Sequence, residues 1–505
     1  MRRLLPTVAI LLFANACAKS TDPTTAVYWI DRLEDRHERE DALTQLGKLG
    51  DKAAVPAVLK WFQTEGSWQP NAAYVLGQLG DKTVIPKLVE ALDFEVGAGA
   101  DRNTRLKHGL NRDIARALAM LGAQESAPQI VRLLQSRDSG VREAAIRALG
   151  TLRNPIAREP LASLATTESD PVLRSAAIYA LGDLGDPQTA TVLVPLLYVE
   201  TPGASFYGDA YAALVQLGDP AAPILLTTLR RQNPAVEAVR LPGGQPLPDG
   251  VIEAKAASVL GSMHASSARD VVAATLEAQY KKLGKKKENT AALRSVVIEL
   301  IYAAGHLGGD AAIHALESIV KDVNDDLRLA ATESLSTLGA TKSVHALFAA
   351  AKTGPLAARQ DAIVAISRLG GADDLAAFDA LAAGGLADVV KAERVRLEAV
   401  KTCKNGVACW RQKLGDENPK VRERAAYELG WLSAKDAADA LLERLATDND
   451  GQVRMASVLS VGALGGADPD QLQTIYNTWS DKEGNAGVNQ ELRALIARLR
   501  SQKRH

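Results

Sequence analysis

The sequence predicts an all-α protein, an α-solenoid of about thirteen stacked helical hairpins. Three observations carry this prediction. A phrase of the form LGxLG returns along the 505-residue chain, mostly at steps of about 30 residues. Apolar residues ahead of each phrase recur at helical spacing, and a proline often opens the segment that follows. Aromatic residues make up only 4% of the chain, which suits closely packed helices.

The first twenty residues differ from the rest and indicate an export signal. Arg2 and Arg3 precede an apolar run over 4–14 that is too short to span a membrane. We expect residues 1–16 to be a cleaved signal peptide and 17–27 to be a short tether. Cleavage before Cys17 suits an ordinary signal peptidase, and it also suits a lipoprotein peptidase, although Ala14 replaces the usual leucine. We expect a lipid on Cys17, and a soluble exported protein is the alternative.

The repeats occupy residues 28–500, and a basic tail follows over 501–505. The second glycine of the phrase marks each repeat, because a helix that ends in a left-handed residue favours glycine there. This glycine or its replacement stands at Gly50, Gly80, Gly122, Arg153, Gly185, Gly218, His264, Gly308, Gly339, Gly370, Lys404, Ser433 and Gly465. We therefore expect every phrase to be the C-terminus of a helix.

The unit over 138–164 shows how one repeat is built. Asp138 is a suitable residue before a helix, and Val141, Ala145 and Leu149 then share one helical face. Pro155 opens the second helix, where a missing amide costs nothing. Each hairpin leaves an apolar face that only a neighbouring hairpin can bury. With helices 8–10 Å apart, the stack should form an open, curved rod of roughly 110–130 Å.

The segments "DSGVREAAIRALGTL", "DPVLRSAAIYALGDLGDP" and "NPKVRERAAYELGWL" resemble the HEAT-like repeats named after phycobilisome lyases. The resemblance covers nearly the whole repeat region and implies an armadillo-type superhelix. It implies less about function, because such repeats serve lyase subunits, adaptors and scaffolds alike. The family pattern also implies that the arginine of each repeat pairs with turn aspartates and carbonyl groups. In this sequence these arginines are Arg142, Arg174, Arg328, Arg359, Arg422 and Arg454.

Cys403 and Cys409 are predicted to form a disulfide. The chain has three cysteines, so a lipid on Cys17 would leave an even pair. Cys403 lies at the end of one helix and Cys409 in the next, and the Asn405–Gly406 turn folds them together. An oxidising compartment favours such a bond, which should stabilise the fold by about 2 kcal/mol.

Composition argues against several functional classes. The 59 basic and 60 acidic residues nearly cancel, so no net charge attracts nucleic acid. Iron-dependent hydroxylases of this repeat class use several His-Glu dipeptides, whereas this chain has one, His37-Glu38. We find no phosphate loop, nucleophile motif or zinc-ligand spacing. The sequence therefore predicts no cofactor, no metal, no small-molecule substrate and no catalytic activity.

Four insertions, at 93–109, 198–210, 232–250 and 280–291, interrupt the same type of connection. In a solenoid one type of turn lies along one edge, so these loops should project side by side and bind a partner. The candidate contact residues are two aromatic anchors, two residues of a proline-rich loop and three lysines that attract an acidic partner. They are Phe206, Tyr207, Arg240, Leu241, Lys285, Lys286 and Lys287.

Together these observations predict a lipid-anchored, non-enzymatic scaffold of the bacterial cell envelope that binds other envelope proteins. Ala18 follows the lipidated cysteine where aspartate would retain a lipoprotein in the inner membrane, so the outer membrane or periplasm is favoured. Two alternatives remain open. One is an enzyme subunit similar to bilin lyases, although bilin attachment is cytoplasmic. The other is a soluble periplasmic adaptor.

Overall fold

A computed structural model describes residues 21–201, 204–285 and 290–502 of the chain. The expected signal peptide over 1–16 and Cys17 lie outside these residues. The structure divides into two compact units, 1–157 and 158–505. Within the described residues it contains 29 α-helices and a single two-stranded hairpin, which confirms the predicted all-α solenoid class.

The described part of unit 1 contains eight α-helices. They are α1 (Ala26–Arg32), α2 (Arg39–Leu49), α3 (Val55–Phe62), α4 (Gln69–Leu79), α5 (Ile85–Glu90), α6 (Arg102–Met120), α7 (Ala127–Leu133) and α8 (Ser139–Leu152).

Unit 2 contains the remaining helices and the hairpin. The first group is α9 (Arg158–Thr167), α10 (Pro171–Leu184), α11 (Ala190–Leu196), β1 (Glu200–Thr201), β2 (Ala204–Ser205), α12 (Tyr207–Leu217), α13 (Ala222–Leu229), α14 (Pro234–Glu237), α15 (Val251–Ser262), α16 (Arg269–Lys285), α17 (Ala291–Leu307), α18 (Asp310–Ile319) and α19 (Asp325–Thr337). The second group is α20 (Val344–Lys352), α21 (Leu356–Leu369), α22 (Leu375–Asp379), α23 (Ala387–Cys403), α24 (Val407–Lys413), α25 (Pro419–Trp431), α26 (Ala438–Thr447), α27 (Gly451–Leu464), α28 (Pro469–Trp479) and α29 (Ala486–Gln502). The strands β1 and β2 pair antiparallel, with Glu200 opposite Ser205.

The repeated phrase ends a helix in every repeat, as predicted. At the phrase's second glycine position the backbone has a positive φ everywhere except Gly370, where φ is −64°. Even the replacements Arg153, His264, Lys404 and Ser433 adopt positive φ. A short 3₁₀ turn follows most phrases, and an aspartate side chain often caps it. Asp186, for example, accepts a hydrogen bond from the Gln188 amide at 2.9 Å.

The first glycine of the phrase has a second role, which the sequence analysis did not identify. A Cβ atom added at Gly77 would lie 2.6 Å from the Ala117 Cα of the next phrase helix, and one at Gly182 would lie 2.8 Å from the Ala213 Cα. Both distances are shorter than real Cβ contacts allow. The first glycine therefore permits neighbouring helices to pack backbone against backbone, which is the close approach that a missing side chain makes possible.

The helices that end at the phrase form one layer in each unit, and we call them the inner helices. In unit 1 they are α2, α4, α6 and α8; in unit 2 they are α10, α12, α15, α17, α19, α21, α23, α25 and α27. α29 follows α27 in the same layer. The other helices form the second layer and pack against them. The apolar core lies between the two layers and consists mainly of leucine, alanine, valine and isoleucine.

Unit 2 does not form the open rod expected from the sequence. Its last helix, α29, packs against α27 and α28 and also against α12 and α15 from the start of the unit. The Arg498 guanidinium donates to the Ser262 carbonyl at 3.2 Å across a sequence separation of 236 residues. The layer of inner helices from α12 to α29 is therefore closed. The reason is that small rotations between successive repeats add up along the stack.

The insertions are partly regular rather than loops throughout. Residues 102–109 form the first two turns of α6, and 198–210 contain the β hairpin and the start of α12. The 232–250 insertion holds α14, and the 280–291 insertion extends α16. Three insertions belong to unit 2. Two of these are neighbours, because Lys282 forms an ion pair with Asp249.

Candidate functional site

Phe206 is buried, which corrects the prediction that it anchors a partner. Its side chain is only 3% exposed, and the Arg174 guanidinium carbon lies 4.4 Å from its ring centroid. Phe206 directly precedes α12, so its ring packs against the preceding inner helix, α10, which carries Arg174. A cation over an aromatic face stabilises this buried position. Phe206 therefore belongs to the packing between repeats.

Tyr207 lies half-buried at the start of α12 and faces the neighbouring inner helix. Its ring centroid is 5.8 Å from that of Tyr211, and the Lys255 Nζ of α15 lies 4.7 Å from its centroid. Burial, together with the nearby Glu299 carboxylate and Tyr211, raises the pKa of its phenol. Tyr207 is therefore part of the inner surface of unit 2.

Arg240 and Leu241 lie in a compact turn at the surface of unit 2. Arg240 pairs with Pro246 in an isolated antiparallel bridge, and the Leu241 amide donates to the Gln245 carbonyl at 2.8 Å. The Arg240 guanidinium donates to the carbonyls of Glu237 and Val239 at 2.7 and 2.8 Å. Arg240 and Pro246 are exposed, whereas Leu241 is half-buried. The turn is thus preformed and accessible.

The predicted lysine cluster lies at the C-terminal end of α16. Lys285 is exposed there, while Lys286 and Lys287 lie outside the described residues. Lys282, one turn earlier, pairs with Asp249 and so connects this end of α16 to the segment that contains Arg240. Lys282 and Lys285 therefore lie at the same edge of unit 2 as the segment that contains Arg240.

Cys403 and Cys409 are bonded to each other, with their Cα atoms 5.4 Å apart. The Gly406 amide donates to the Cys403 carbonyl at 2.8 Å and closes the turn between α23 and α24. The disulfide therefore connects the inner helix α23 to the second-layer helix α24 that follows it in the chain.

The repeat arginines bind turn carbonyl groups and carboxylates, as the family pattern implied. Arg142 donates to the Ser136 carbonyl, and Arg174 donates to the Ala165 carbonyl. Arg422 reaches both the Asp416 carbonyl and the Asp448 carboxylate of the next repeat. These arginines are structural, because each one satisfies the exposed end of a helix.

The inner helices of unit 2 line a partly open cavity of about 830 Å³, which was not predicted from the sequence. Its polar lining includes His264, His306, Glu491 and Arg498. The rings of His264 and His306 stack with their centroids 6.0 Å apart, and His306 Nε2 lies 3.0 Å from a Glu491 oxygen. The only hint in the sequence is that His264 replaces the phrase glycine. The contact with Glu491 depends on closure of the layer.

Burial and charge give the two histidines opposite protonation states. Burial, helped by the charges of Arg498 and His306, lowers the pKa of His264 to about 3. Burial also opposes protonation of His306, but the attraction and hydrogen bond of Glu491 outweigh it and raise the pKa of His306. His306, together with Arg498, in turn lowers the pKa of Glu491 although burial of that carboxylate would raise it. Between about pH 3 and pH 6.5 a neutral His264 imidazole therefore stacks on a charged His306 imidazole at the cavity wall.

A second cavity, of about 430 Å³, adjoins the first and shares His306, Thr337, Leu459 and Glu491 with it. Glu299 and Tyr302 of α17 line this cavity. The buried Glu299 Oε2 has no hydrogen-bond partner within the described residues, and burial raises the pKa of this carboxyl. The Tyr302 hydroxyl donates to Glu333 at 3.0 Å. The lining of the second cavity therefore includes both acidic and basic groups.

A buried ionic network lies beside this cavity and joins α21, α23 and α25. Arg396 forms ion pairs with Glu393 and Glu423, and Arg368 Nε lies 2.9 Å from the second oxygen of Glu423. Burial alone would raise the pKa of Glu423, but the charges of Arg368 and Arg396 hold it below its usual value. Such a network fixes the register of neighbouring helices, because a displaced partner would leave a buried charge uncompensated.

Two further findings concern the described residues only. No group of three or more His, Cys, Asp and Glu side chains there is arranged to hold a metal ion. No single helix there is long and apolar enough to cross a membrane. One pair of helical segments, Tyr207–Leu217 and Asp219–Leu229, reaches that length and composition when the two are taken together, but it is bent by 113°.

Family models match several parts of the chain. The model for HEAT repeats matches 109–182, 141–209 and 407–495, and the model for the PBS lyase HEAT-like repeat matches 71–94. No curated protein sequence matches the chain.

Three structures illustrate what this chain is similar to. The complex of CpcE and CpcF of phycocyanin lyase from Nostoc sp. PCC7120 is 25% identical over 42% of this chain and 82% of that chain, with a TM-score of 0.29. Importin beta is 16% identical over 94% of this chain and 69% of its own, with a TM-score of 0.36. A homology model of the AP-3 complex is 13% identical over 93% of this chain and 96% of its own, with a TM-score of 0.37.

Proposed function

Because the chain is a HEAT-repeat α-solenoid with phycobilisome-lyase-type repeats, we propose that it is a protein-binding scaffold of the bacterial cell envelope. On this proposal it has no catalytic activity of its own, and a lipid on Cys17 holds it to the membrane. Its partners are other envelope proteins.

The accessible turn around Arg240 is the observation that carries the proposal. The bridge between Arg240 and Pro246 and the Leu241–Gln245 hydrogen bond hold the turn in one conformation before any partner arrives. Pro242, Pro246 and Pro248 stiffen it further and are exposed. A preformed segment loses little conformational entropy on binding. An exposed, rigid loop on a solenoid edge is the usual position of a binding surface.

Charge at this edge favours an acidic partner. Arg240 and Lys285 are exposed, and Lys281 and Lys282 lie within the preceding turn of α16. Asp249 is paired with Lys282, and Glu237 with Arg231. A predominantly basic edge speeds association with an acidic surface more than it strengthens the final complex. Phe206 is buried and therefore does not belong to this surface.

The loop experiment combines Arg240→Ala with replacement of 242–248 by a short glycine linker. Because no core residue changes, the melting temperature should stay within about 2 °C of wild type. Partner recovery after crosslinking in intact envelopes should fall at least about tenfold, since a preformed charged contact is lost. A control variant, Lys342→Ala, removes one positive charge elsewhere in unit 2 and should retain recovery. Equal recovery from the loop variant and wild type would contradict the proposed surface.

The anchoring experiment uses Cys17→Ser. The variant should lose labelled palmitate and leave the membrane fraction, whereas the control Cys403→Ser/Cys409→Ser should keep both. Retention of Cys17→Ser in the membrane fraction, with no label on the wild-type protein, would overturn the lipid anchor. A wild-type protein that is unlabelled and found in the soluble periplasmic fraction would favour the soluble adaptor.

A second candidate function is a subunit of an enzyme similar to phycocyanin lyase. The observation that favours it is the lyase-type repeat match at 71–94, and the two cavities of unit 2 would offer space for a ligand. Titration of the purified protein with a free bilin, followed by absorption spectroscopy, tests this candidate. Saturable binding at one site per chain would favour it over the scaffold, and unchanged spectra would oppose it.

A further inference from the structure

Four arginines form a stripe along one face of α6 in unit 1. They are Arg102, Arg105, Arg112 and Arg116, and Gly109 stands in the middle of the same face. These positions recur at the three- and four-residue steps that place side chains on one side of a helix. At 1.5 Å per residue the stripe is about 21 Å long. The 93–109 insertion supplies Arg102 and Arg105, so it extends the stripe by about two turns.

The stripe borders an open groove of about 860 Å³ between α6 and α4. Pro70, Asn71 and Tyr74 of α4 line the opposite side. A Cβ atom added at Gly109 would lie 3.5 Å from the Pro70 Cγ, an ordinary van der Waals distance, so the two walls approach each other closely at the centre of the groove. The groove thus combines a cationic wall with a wall that carries apolar, amide and phenol groups.

The positive charge of the four arginines exceeds the negative charge of the acidic residues in the lining of the groove. Arg112 and Arg116 share Asp113, at 3.3 and 3.0 Å, and that aspartate is buried. Arg102 and Arg105 are exposed and form no ion pair with any residue of the described chain. Besides Asp113, the only acidic residue in the lining is Glu40. Two guanidinium groups at one end of the groove therefore remain available for an anion.

We propose that this groove binds an extended, acidic segment of a partner protein. A guanidinium group binds a carboxylate through two parallel hydrogen bonds, so Arg102 and Arg105 would each take one acidic side chain. About six extended residues, at roughly 3.3 Å each, match the length of the stripe. Asn71 offers an amide to the peptide backbone, and Pro70 and Tyr74 offer apolar contact between the acidic positions.

A protein segment fits this groove better than a nucleic acid or an anionic membrane. The net charge of the chain is −1, so no long-range field collects polyanions. The basic side chains line a groove between helices rather than a broad flat face, which suits one chain in an extended conformation. The inference concerns unit 1 and does not depend on the proposed edge around Arg240.

The test uses the full mature chain and a fluorescein-labelled octapeptide of alternating glutamate and alanine. Fluorescence anisotropy at 50 mM salt should show saturable binding, and the same peptide with glutamine for glutamate should bind at least about tenfold more weakly. Arg102→Gln/Arg105→Gln should weaken glutamate-peptide binding about tenfold, equal to about 1.4 kcal/mol. Arg102→Lys/Arg105→Lys should give an intermediate loss, because lysine keeps the charge but not the paired hydrogen bonds.

The control Lys48→Gln/Arg147→Gln removes two exposed positive charges of unit 1 outside the groove and should bind like wild type. All three double variants change exposed residues, so circular dichroism should report unchanged melting. An equal loss in the control would overturn the proposal, because net charge alone would then explain binding. Binding of heparin or phosphatidylglycerol vesicles with no binding of the glutamate peptide would also overturn it and would indicate a general polyanion or lipid surface.

Discussion

The ion pair of His306 and Glu491 should make the stability of unit 2 depend on pH in a defined way. The pKa of His306 is raised from its ordinary 6.5, so its stabilisation is complete below pH 6.5 and is lost as pH rises through the folded pKa. The pKa of Glu491 is lowered from 4.5, so its contribution is present above pH 4.5 and is lost as pH falls through the folded value. His264, held neutral by a pKa of about 3, disfavours folding increasingly below pH 6.5.

His306→Gln tests this pair. The variant should lower the free energy of unfolding by about 2–4 kcal/mol at pH 6, because the side chains of His306 and Glu491 are only 14% and 16% exposed and Glu491 would lose its charged partner. The difference from wild type should be smaller at pH 9 than at pH 6, because a rising pH removes the proton from His306 of the wild type. Urea unfolding at both pH values measures it. The exposed His314→Gln is the control and should show no such trend, and a difference for His306→Gln that stayed constant with pH would mean that His306 is not charged.

Residue burial was the least predictable property from the sequence. Phe206 follows a glycine-containing loop and precedes a helix, which is typical of an exposed tip, yet Arg174 from the previous repeat covers its ring. Arg240 also lies next to a glycine-containing loop and remains exposed. The difference lies in which side chain the neighbouring repeat places above the loop. Residue type and spacing do not contain that information.

The helical hairpin was predictable as an element because its signals are local. Proline, aspartate and the second phrase glycine act within a few residues of their own position, and the structure confirms the joint in each repeat. The role of the first glycine was not predictable from one repeat. It depends on the distance to the next helix, which is a property of the stack.

Gly182→Ala tests the packing role of the first phrase glycine, and Gly284→Ala is its matched control. Both glycines lie within helices, but a Cβ at Gly182 would lie 2.8 Å from the Ala213 Cα, whereas one at Gly284 has nothing within 4 Å. Gly182→Ala should reduce the free energy of unfolding by about 1–3 kcal/mol, because α10 and α12 must separate. Gly284→Ala should be neutral or stabilising by about 0.5–1 kcal/mol, because alanine favours the helix. Urea unfolding compares the two, and similar effects would show that the first glycine has no packing role.

The closed layer of unit 2 changes how stability is distributed through the whole molecule. In an open solenoid each repeat depends on its two neighbours, so the last helix affects only the last repeats. Here α29 buries Leu492, Leu495 and Leu499 and also packs against α12 at the start of the unit. A sequence with a recognisable repeat predicts the contact between neighbours. It does not predict the total rotation that brings repeats more than 200 residues apart together, because small differences in helix packing angle accumulate.

Deletion of 486–505 tests whether the layer of inner helices in unit 2 is closed or open in solution. Hydrogen exchange should accelerate in α12, because its packing against α29 is lost. Exchange should accelerate far less in α21, which lies midway along the layer and packs between α19 and α23. Deletion of 503–505 is the control and should leave exchange in α12 unchanged. If the longer deletion affects only α27 and α28, the layer is open in solution, and the histidine pair would have to be solvent-exposed. In a closed layer, loss of the last helix loosens the first helices of the unit before its middle.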